Sequence, residues 1–87
     1  MNTNETVYSL RLMASTIEEL EIDNIISCEV NGTVMSCHLH QLKLTNVEAI
    51  WKERHTISWP WKKTFTYNNI YFYALYSQEQ YDKEQPA

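Results

Sequence analysis

The sequence has few of the residues that several common functions require. Gly32 is the only glycine in 87 residues, which excludes the glycine-rich P-loop and dinucleotide-binding fingerprints. Two cysteines, Cys28 and Cys37, are too few for a disulfide scaffold. The longest apolar run, residues 70–76, is too short to span a bilayer, and the first residues do not resemble a secretory signal. These absences predict a cytoplasmic protein without membrane contact.

Charge is unevenly distributed along the chain, whose formal net charge is −4. Residues 1–50 hold seven acidic and two basic residues, whereas residues 51–77 hold four basic residues and one acidic residue. The acidic first half disfavours a general nucleic-acid coat but leaves one basic segment. A hydrophobic content of 44% is typical of a folded domain. We predict one compact domain over residues 1–77 and a polar, frayed tail over residues 78–87.

The first third of the chain predicts a strand and then a short helix. Residues 5–13 alternate between apolar and polar side chains, which is typical of a half-buried strand. Ser15 and Glu18 have the spacing of a capping box and favour a short helix over residues 16–22. In the alternative interpretation, residues 19–30 are extended, because their apolar side chains lie mostly at every second position and would share one face of a strand.

The dipeptide Asn31-Gly32 predicts a β-hairpin. Both residues accept positive φ, so together they favour a type I′ turn between two apolar-rich runs. In the resulting register Cys28 faces Met35, and Cys37 is its diagonal neighbour. That arrangement disfavours a disulfide and predicts two buried free thiols that act as small hydrophobic groups.

The second half predicts a helix followed by another hairpin. Thr45 and Glu48 form a second capping-box spacing, with a helix that should end near His55. A turn at Asn68-Asn69 then joins two alternating strands within residues 61–76.

These elements predict an α+β fold. We expect a small antiparallel sheet of about five strands, with one or two short helices on one face. The alternative is a small, partly open β-barrel with one helix, which follows if residues 19–30 form one long strand.

Two histidines are weak candidates for a metal site. His38 and His40 lie two residues apart on a predicted strand, so both would point to one face. Asp23 falls opposite His40 in the predicted register, and His55 could approach from the end of the helix. A polar, solvated face explains the same pattern, so we assign no metal and no cofactor.

Aromatic residues are concentrated in the second half, where ten of the eleven lie between Trp51 and Tyr81. If one face of the second hairpin forms the core, Tyr71, Tyr73 and Leu75 share the other face. Exposed tyrosines beside an apolar residue are typical of interfaces. The predicted interaction surface consists of Trp59, Lys62, Tyr71, Tyr73 and Leu75. The alternative is that the first helix covers this face.

We therefore predict a non-enzymatic protein–protein interaction module that self-associates, as a dimer, or docks on another protein. One alternative is single-stranded nucleic-acid binding by the basic and aromatic residues 51–77. A small-ligand or metal-binding module is the other alternative.

Overall fold

The computed structural model describes residues 3–43 and 48–86. In chain order, the elements are α1 (Thr3–Glu19), β1 (Ile25–Asn31), β2 (Val34–Leu39), β3 (Ile50–Glu53), β4 (Trp61–Tyr67), β5 (Ile70–Tyr76) and α2 (Gln78–Glu84). Neither of these two helices is long and apolar enough to cross a bilayer.

The five strands form one open, mixed sheet in the order β1-β2-β5-β4-β3. Neighbouring strands are antiparallel except β2 and β5, which run parallel. The predicted α+β class and the five strands are confirmed, while the purely antiparallel sheet and the barrel alternative are wrong. β3, β4 and β5 form an antiparallel meander, and the last strand of this meander pairs with β2. The parallel pair therefore joins two strands that are far apart in the chain.

The prediction of a strand over residues 5–13 is wrong, because this segment lies within α1. The helix buries small and flexible side chains at helical spacing, namely Ser9, Met13 and Thr16. Tyr8 and Leu10, which suggested alternation, are 66% and 51% exposed. Because two of these three buried residues are polar, the hydrophobic pattern of the sequence does not show the helical period of α1.

The end of α1 also differs from both predictions for residues 16–30. The helix continues to Glu19, and the chain then turns at Glu21, which has φ 54°. Ser15 does not cap a helix, because it lies inside α1 and its hydroxyl donates to the carbonyl of Leu12 at 3.1 Å.

The first hairpin forms where it was predicted, but its register differs. Asn31 pairs with Val34, so Gly32 and Thr33 form the loop. Only Gly32 has positive φ, at 64°, which corresponds to a type II′ turn and not to type I′. The predicted pairing of Cys28 with Met35 is therefore wrong, and Cys28 lies directly opposite Cys37.

The second hairpin confirms the predicted turn at Asn68-Asn69. Both asparagines have positive φ, at 52° and 64°, as a type I′ turn requires. Tyr67 pairs with Ile70 as predicted, and the two strands stay in register to Trp61 and Tyr76.

The predicted helix from Thr45 to about His55 is wrong where the structure describes it, because residues 50–53 form β3. Its predicted start at Thr45 lies outside the described residues. Ile50 and Trp51 pair with Thr64 and Lys63 of β4. Backbone pairing with a neighbouring strand thus overrides an apolar pattern that also suits a helix.

The segment predicted as a polar tail contains α2. Ser77 caps this helix in a complete capping box with Gln80, whose side chain accepts from the Ser77 backbone N–H at 2.8 Å. Glu84, at the end of α2, accepts from Lys63 Nζ at 2.7 Å. The cap stabilises the first turn of α2, and the Lys63–Glu84 ion pair holds the end of the helix against β4.

Candidate interaction surface

The strand registers divide the sheet into two faces. One face is buried and forms the core, with Met35, Cys37, Leu39, Phe65, Ile70, Phe72, Ala74 and Tyr76. The opposite face is formed around His38, Lys62, Tyr71, Tyr73 and Leu75, and we call it the tyrosine face. Alternation along β5 explains the division, because its side chains are buried and half-buried in turn.

Both described helices pack on the core face. Met13 of α1 belongs to the buried cluster, and Ser9 of α1 donates to the carbonyl of Gly32 at 2.8 Å. On α2, Tyr81 stacks on Trp61 at a centroid distance of 3.7 Å. Neither helix therefore covers the tyrosine face, and the alternative in which the first helix does so is wrong.

The side chains of the tyrosine face form one continuous cluster. Lys62 Nζ lies 5.0 Å from the Tyr71 ring centroid and 4.7 Å from that of Tyr73. The two tyrosine rings are 5.7 Å apart, and His38 stacks on Tyr73 at 4.6 Å. Leu75 lies directly opposite Lys62 in the register. The result is a rigid aromatic platform with a cation held over it.

Positive charge accumulates at one side of this platform. Lys52 of β3 lies directly opposite Lys62 of β4, and like charges in this position repel. Burial lowers the pKa of His38, and the positive charges of His40, Lys62 and Arg54 lower it further. Within residues 3–43 and 48–86, neither Lys52 nor Lys62 forms an ion pair with a carboxylate. The cluster therefore carries cationic charge that the described residues do not neutralise.

Trp59 is presented by a structured loop between β3 and β4. Its carbonyl accepts from Arg54 Nη1 at 3.0 Å and from the Thr56 hydroxyl at 2.9 Å. The Arg54 backbone N–H donates to the Pro60 carbonyl at 2.6 Å. Trp59 is nevertheless 47% exposed, so its indole ring offers apolar area to a partner.

A groove of about 650 Å³ continues the tyrosine face toward Trp59. Its lining includes Ile26, His38, His40, Trp59 and Leu75. Ile26 reaches this position because it lies at the β1 irregularity between Ile25 and Ser27. Most of the groove surface is apolar, although Asn24, Gln41 and Gln80 line it together with the two histidines, and it extends the area that a partner could bury.

The residues suggested for a metal site do not assemble into one. Among the described residues, no group of three or more histidine, cysteine or acidic side chains could hold a metal ion. Cys37 and His38 are adjacent in β2 and therefore point to opposite faces. Burial, and then the neighbouring Cys28, raise the pKa of the Cys37 thiol to about 12, which disfavours a nucleophilic thiolate.

Four of the predicted interaction residues, Lys62, Tyr71, Tyr73 and Leu75, are adjacent on the tyrosine face, and Trp59 borders the same groove as Leu75. The sequence reasoning missed the contribution of His38 to this cluster. His38 meets Tyr73 only because β2 pairs with β5, and no local signal indicates that pairing.

Compared with protein-family models, with curated proteins and with solved structures, the chain matches none.

Proposed function

We propose that this protein is a non-enzymatic interaction module whose tyrosine face binds an acidic segment of another protein. The observation that carries the proposal is a half-buried aromatic platform, with Lys62 held over Tyr71 and Tyr73, on the face opposite both described helices. Tyrosines supply large contact area at little cost in conformational entropy, which suits the centre of an interface.

Charge complementarity supports an acidic partner. Lys52 and Lys62 oppose each other across β3 and β4, and Arg54 adds a third positive charge whose electrostatic effect reaches His38. A carboxylate placed between the two lysines would relieve their repulsion and gain charge-assisted hydrogen bonds. An acidic peptide with apolar side chains could also place those side chains against Leu75 and in the groove beside Trp59.

The same charges favour a different protein over a second copy of this chain. A symmetric dimer formed through the tyrosine face would place the same patch of each copy against the other. A two-fold axis through the cationic cluster would bring Lys52, Lys62 and Arg54 of the two copies together, and like charges across an interface oppose association.

Single-stranded nucleic acid is the second candidate, because aromatic platforms with cations also stack bases. The formal net charge of −4 weighs against it, since a long polyanion would approach an acidic molecule. An acidic protein segment needs only the local cationic cluster. The charge distribution therefore favours the acidic protein segment over the nucleic acid.

The test is a titration followed by amide NMR shifts, with three probes. The first is a short peptide that alternates glutamate and leucine, the second has glutamine in place of glutamate, and the third is an oligothymidylate of the same charge. We expect the acidic peptide to shift the amides around Tyr71, Tyr73 and Leu75 at lower concentration than the other two. Shifts elsewhere, or equal binding of the glutamine peptide, would contradict the proposal, and tighter binding of the oligonucleotide would select the second candidate.

Matched variants localise the binding. Lys62→Gln should weaken the acidic peptide roughly three- to fivefold, which corresponds to ~1 kcal/mol for one partly exposed ion pair. Lys83→Gln removes the same charge from α2, where the side chain is 74% exposed, and should leave binding unchanged. If both variants weaken binding equally, the effect reports net charge and the tyrosine face is not the site.

Light scattering separates docking on a different protein from self-association. We expect a monomer over a wide concentration range. A mass that rises with concentration, and that Tyr73→Glu lowers without loss of the fold, would show that a second copy is the occupant.

A further inference from the structure

The two cysteines of the chain face each other across the β1–β2 hairpin. Cys28 and Cys37 are directly paired in the antiparallel register, with their Sγ atoms 3.1 Å apart and both thiols free. Directly opposed residues in an antiparallel pair have Cα atoms about 4.5–5.5 Å apart. Disulfides span Cα separations of about 4.4–6.8 Å, so a bond between these sulfurs needs little backbone movement.

The two thiols differ in their access to solvent. Cys28 is exposed on the edge strand β1, whereas Cys37 has no exposed surface and lies in β2 among the core residues. A dissolved oxidant can reach only the first sulfur. The second sulfur is already in contact with it and is shielded from every other thiol.

We propose that Cys28 and Cys37 form a redox-active dithiol that closes to an intramolecular cross-strand disulfide, with hydrogen peroxide or a low-molecular-weight disulfide as the oxidant. The site is independent of the tyrosine face, because both sulfurs lie on the core side of the sheet. It also differs from a structural disulfide, since both cysteines are free in the structure described here.

The chemistry balances with peroxide as the oxidant. The Cys28 sulfur attacks one peroxide oxygen, the O–O bond breaks, and a sulfenic acid and one water molecule form. The Cys37 sulfur then attacks the Cys28 sulfur, and the sulfenic hydroxyl leaves with the Cys37 proton as a second water molecule. Two thiols lose two electrons, and the peroxide accepts them.

A low-molecular-weight disulfide reaches the same product by exchange. Cys28 first forms a mixed disulfide and releases one small thiol, and Cys37 then displaces the second. The raised pKa of Cys37, which results chiefly from burial, slows this second step, and the 3.1 Å separation of the two sulfurs favours it. An external dithiol would reverse the reaction.

The experiment is oxidation of the full chain with hydrogen peroxide and, separately, with oxidised glutathione. Intact mass should fall by two hydrogen atoms, and the ¹³Cβ shifts of Cys28 and Cys37 should both move to disulfide values while the fold persists. These measurements use the wild-type chain, so they do not depend on whether a variant folds. A persistent glutathione adduct, a covalent dimer, or unchanged ¹³Cβ shifts would overturn the proposal.

Two variants separate the roles of the sulfurs. Cys37→Ser should stop the reaction at the Cys28 adduct, which then accumulates because no second sulfur displaces it. Cys28→Ser should make the folded chain resistant to both oxidants, because the remaining thiol is buried. If Cys28→Ser is modified as fast as wild type, the assignment of Cys28 as the reacting thiol is wrong.

Discussion

The substitution Tyr76→Phe removes one buried hydroxyl and should lower the stability of the fold measurably. The Leu42 backbone N–H donates to Tyr76 Oη at 2.8 Å, and both residues are fully buried. Without the hydroxyl, this N–H has no partner in a site that excludes water. A buried donor left without a partner costs about 1–3 kcal/mol.

The expected change is large enough for a simple assay. In a domain of this size, each kcal/mol shifts the melting temperature by roughly 4–8 °C. We therefore expect Tyr76→Phe to melt at least about 4 °C below wild type by circular dichroism at neutral pH. Tyr8→Phe is the matched control, because it removes the hydroxyl of a tyrosine that is 66% exposed on α1. Equal melting temperatures for the two variants would refute the reasoning.

An alkaline series tests the same site independently. The pKa of Tyr76 is raised from 10.0 to about 12. Burial is the main cause and the charge of Glu84 adds to it, whereas the hydrogen bond from the Leu42 N–H lowers the pKa. The unfolded chain therefore loses this proton first as the pH rises. The resulting contribution to stability is complete below pH 10 and is lost between pH 10 and about 12. Tyr76→Phe should lose less stability than wild type over that interval, while the Cys37 thiol titrates in both proteins.

Three further predictions concern single elements of the fold. Gly32→Ala should cost about 1 kcal/mol in urea denaturation, because its φ of 64° strains an alanine although no atom lies within 4 Å, and an unchanged urea midpoint would contradict this. Glu84→Gln should destabilise by about 1 kcal/mol at low salt, since the Lys63–Glu84 pair is only 16% and 24% exposed, and the loss should shrink as sodium chloride is added. Ser77→Ala should remove the cap of α2 at a cost of about 1 kcal/mol. The α2 amides should then exchange hydrogen faster than in wild type, and equal protection would contradict the capping role.

The second hairpin shows what turn residues and side-chain alternation can predict without tertiary information. The turn at Asn68-Asn69 and the alternation on either side predict the pairing of Tyr67 with Ile70. That register places Tyr71, Tyr73 and Leu75 on one face, so most of the candidate surface follows from the sequence. The signal is strong because turn chemistry and side-chain parity act over a few residues and agree with each other.

The first hairpin shows that a correctly predicted turn region does not settle the strand register. Asn31-Gly32 correctly predicts a hairpin, yet a turn made by Gly32 and Thr33 moves every pair by two positions. Side-chain parity is unchanged by this shift, so Met35, Cys37 and Leu39 of β2 are buried as their alternation predicts. On β1 the expectation of a second buried thiol is wrong, because Cys28 is exposed, and Ile26 lines the groove beside Trp59. The opposition of Cys28 and Cys37, on which the redox proposal depends, became visible only in the folded register.

The sequence by itself determined the α+β class, two hairpins, and the division of β5 into buried and half-buried side chains, because these depend on turn residues and on a period of two. Tertiary structure decided that residues 5–13 are helical and that residues 50–53 are a strand, since short amphipathic segments suit either state until a neighbour pairs with them. It also decided that both described helices pack on the core face, and that β2 runs parallel to β5, which joins His38 to Tyr73. That pairing links residues far apart in the chain, and no local pattern encodes it.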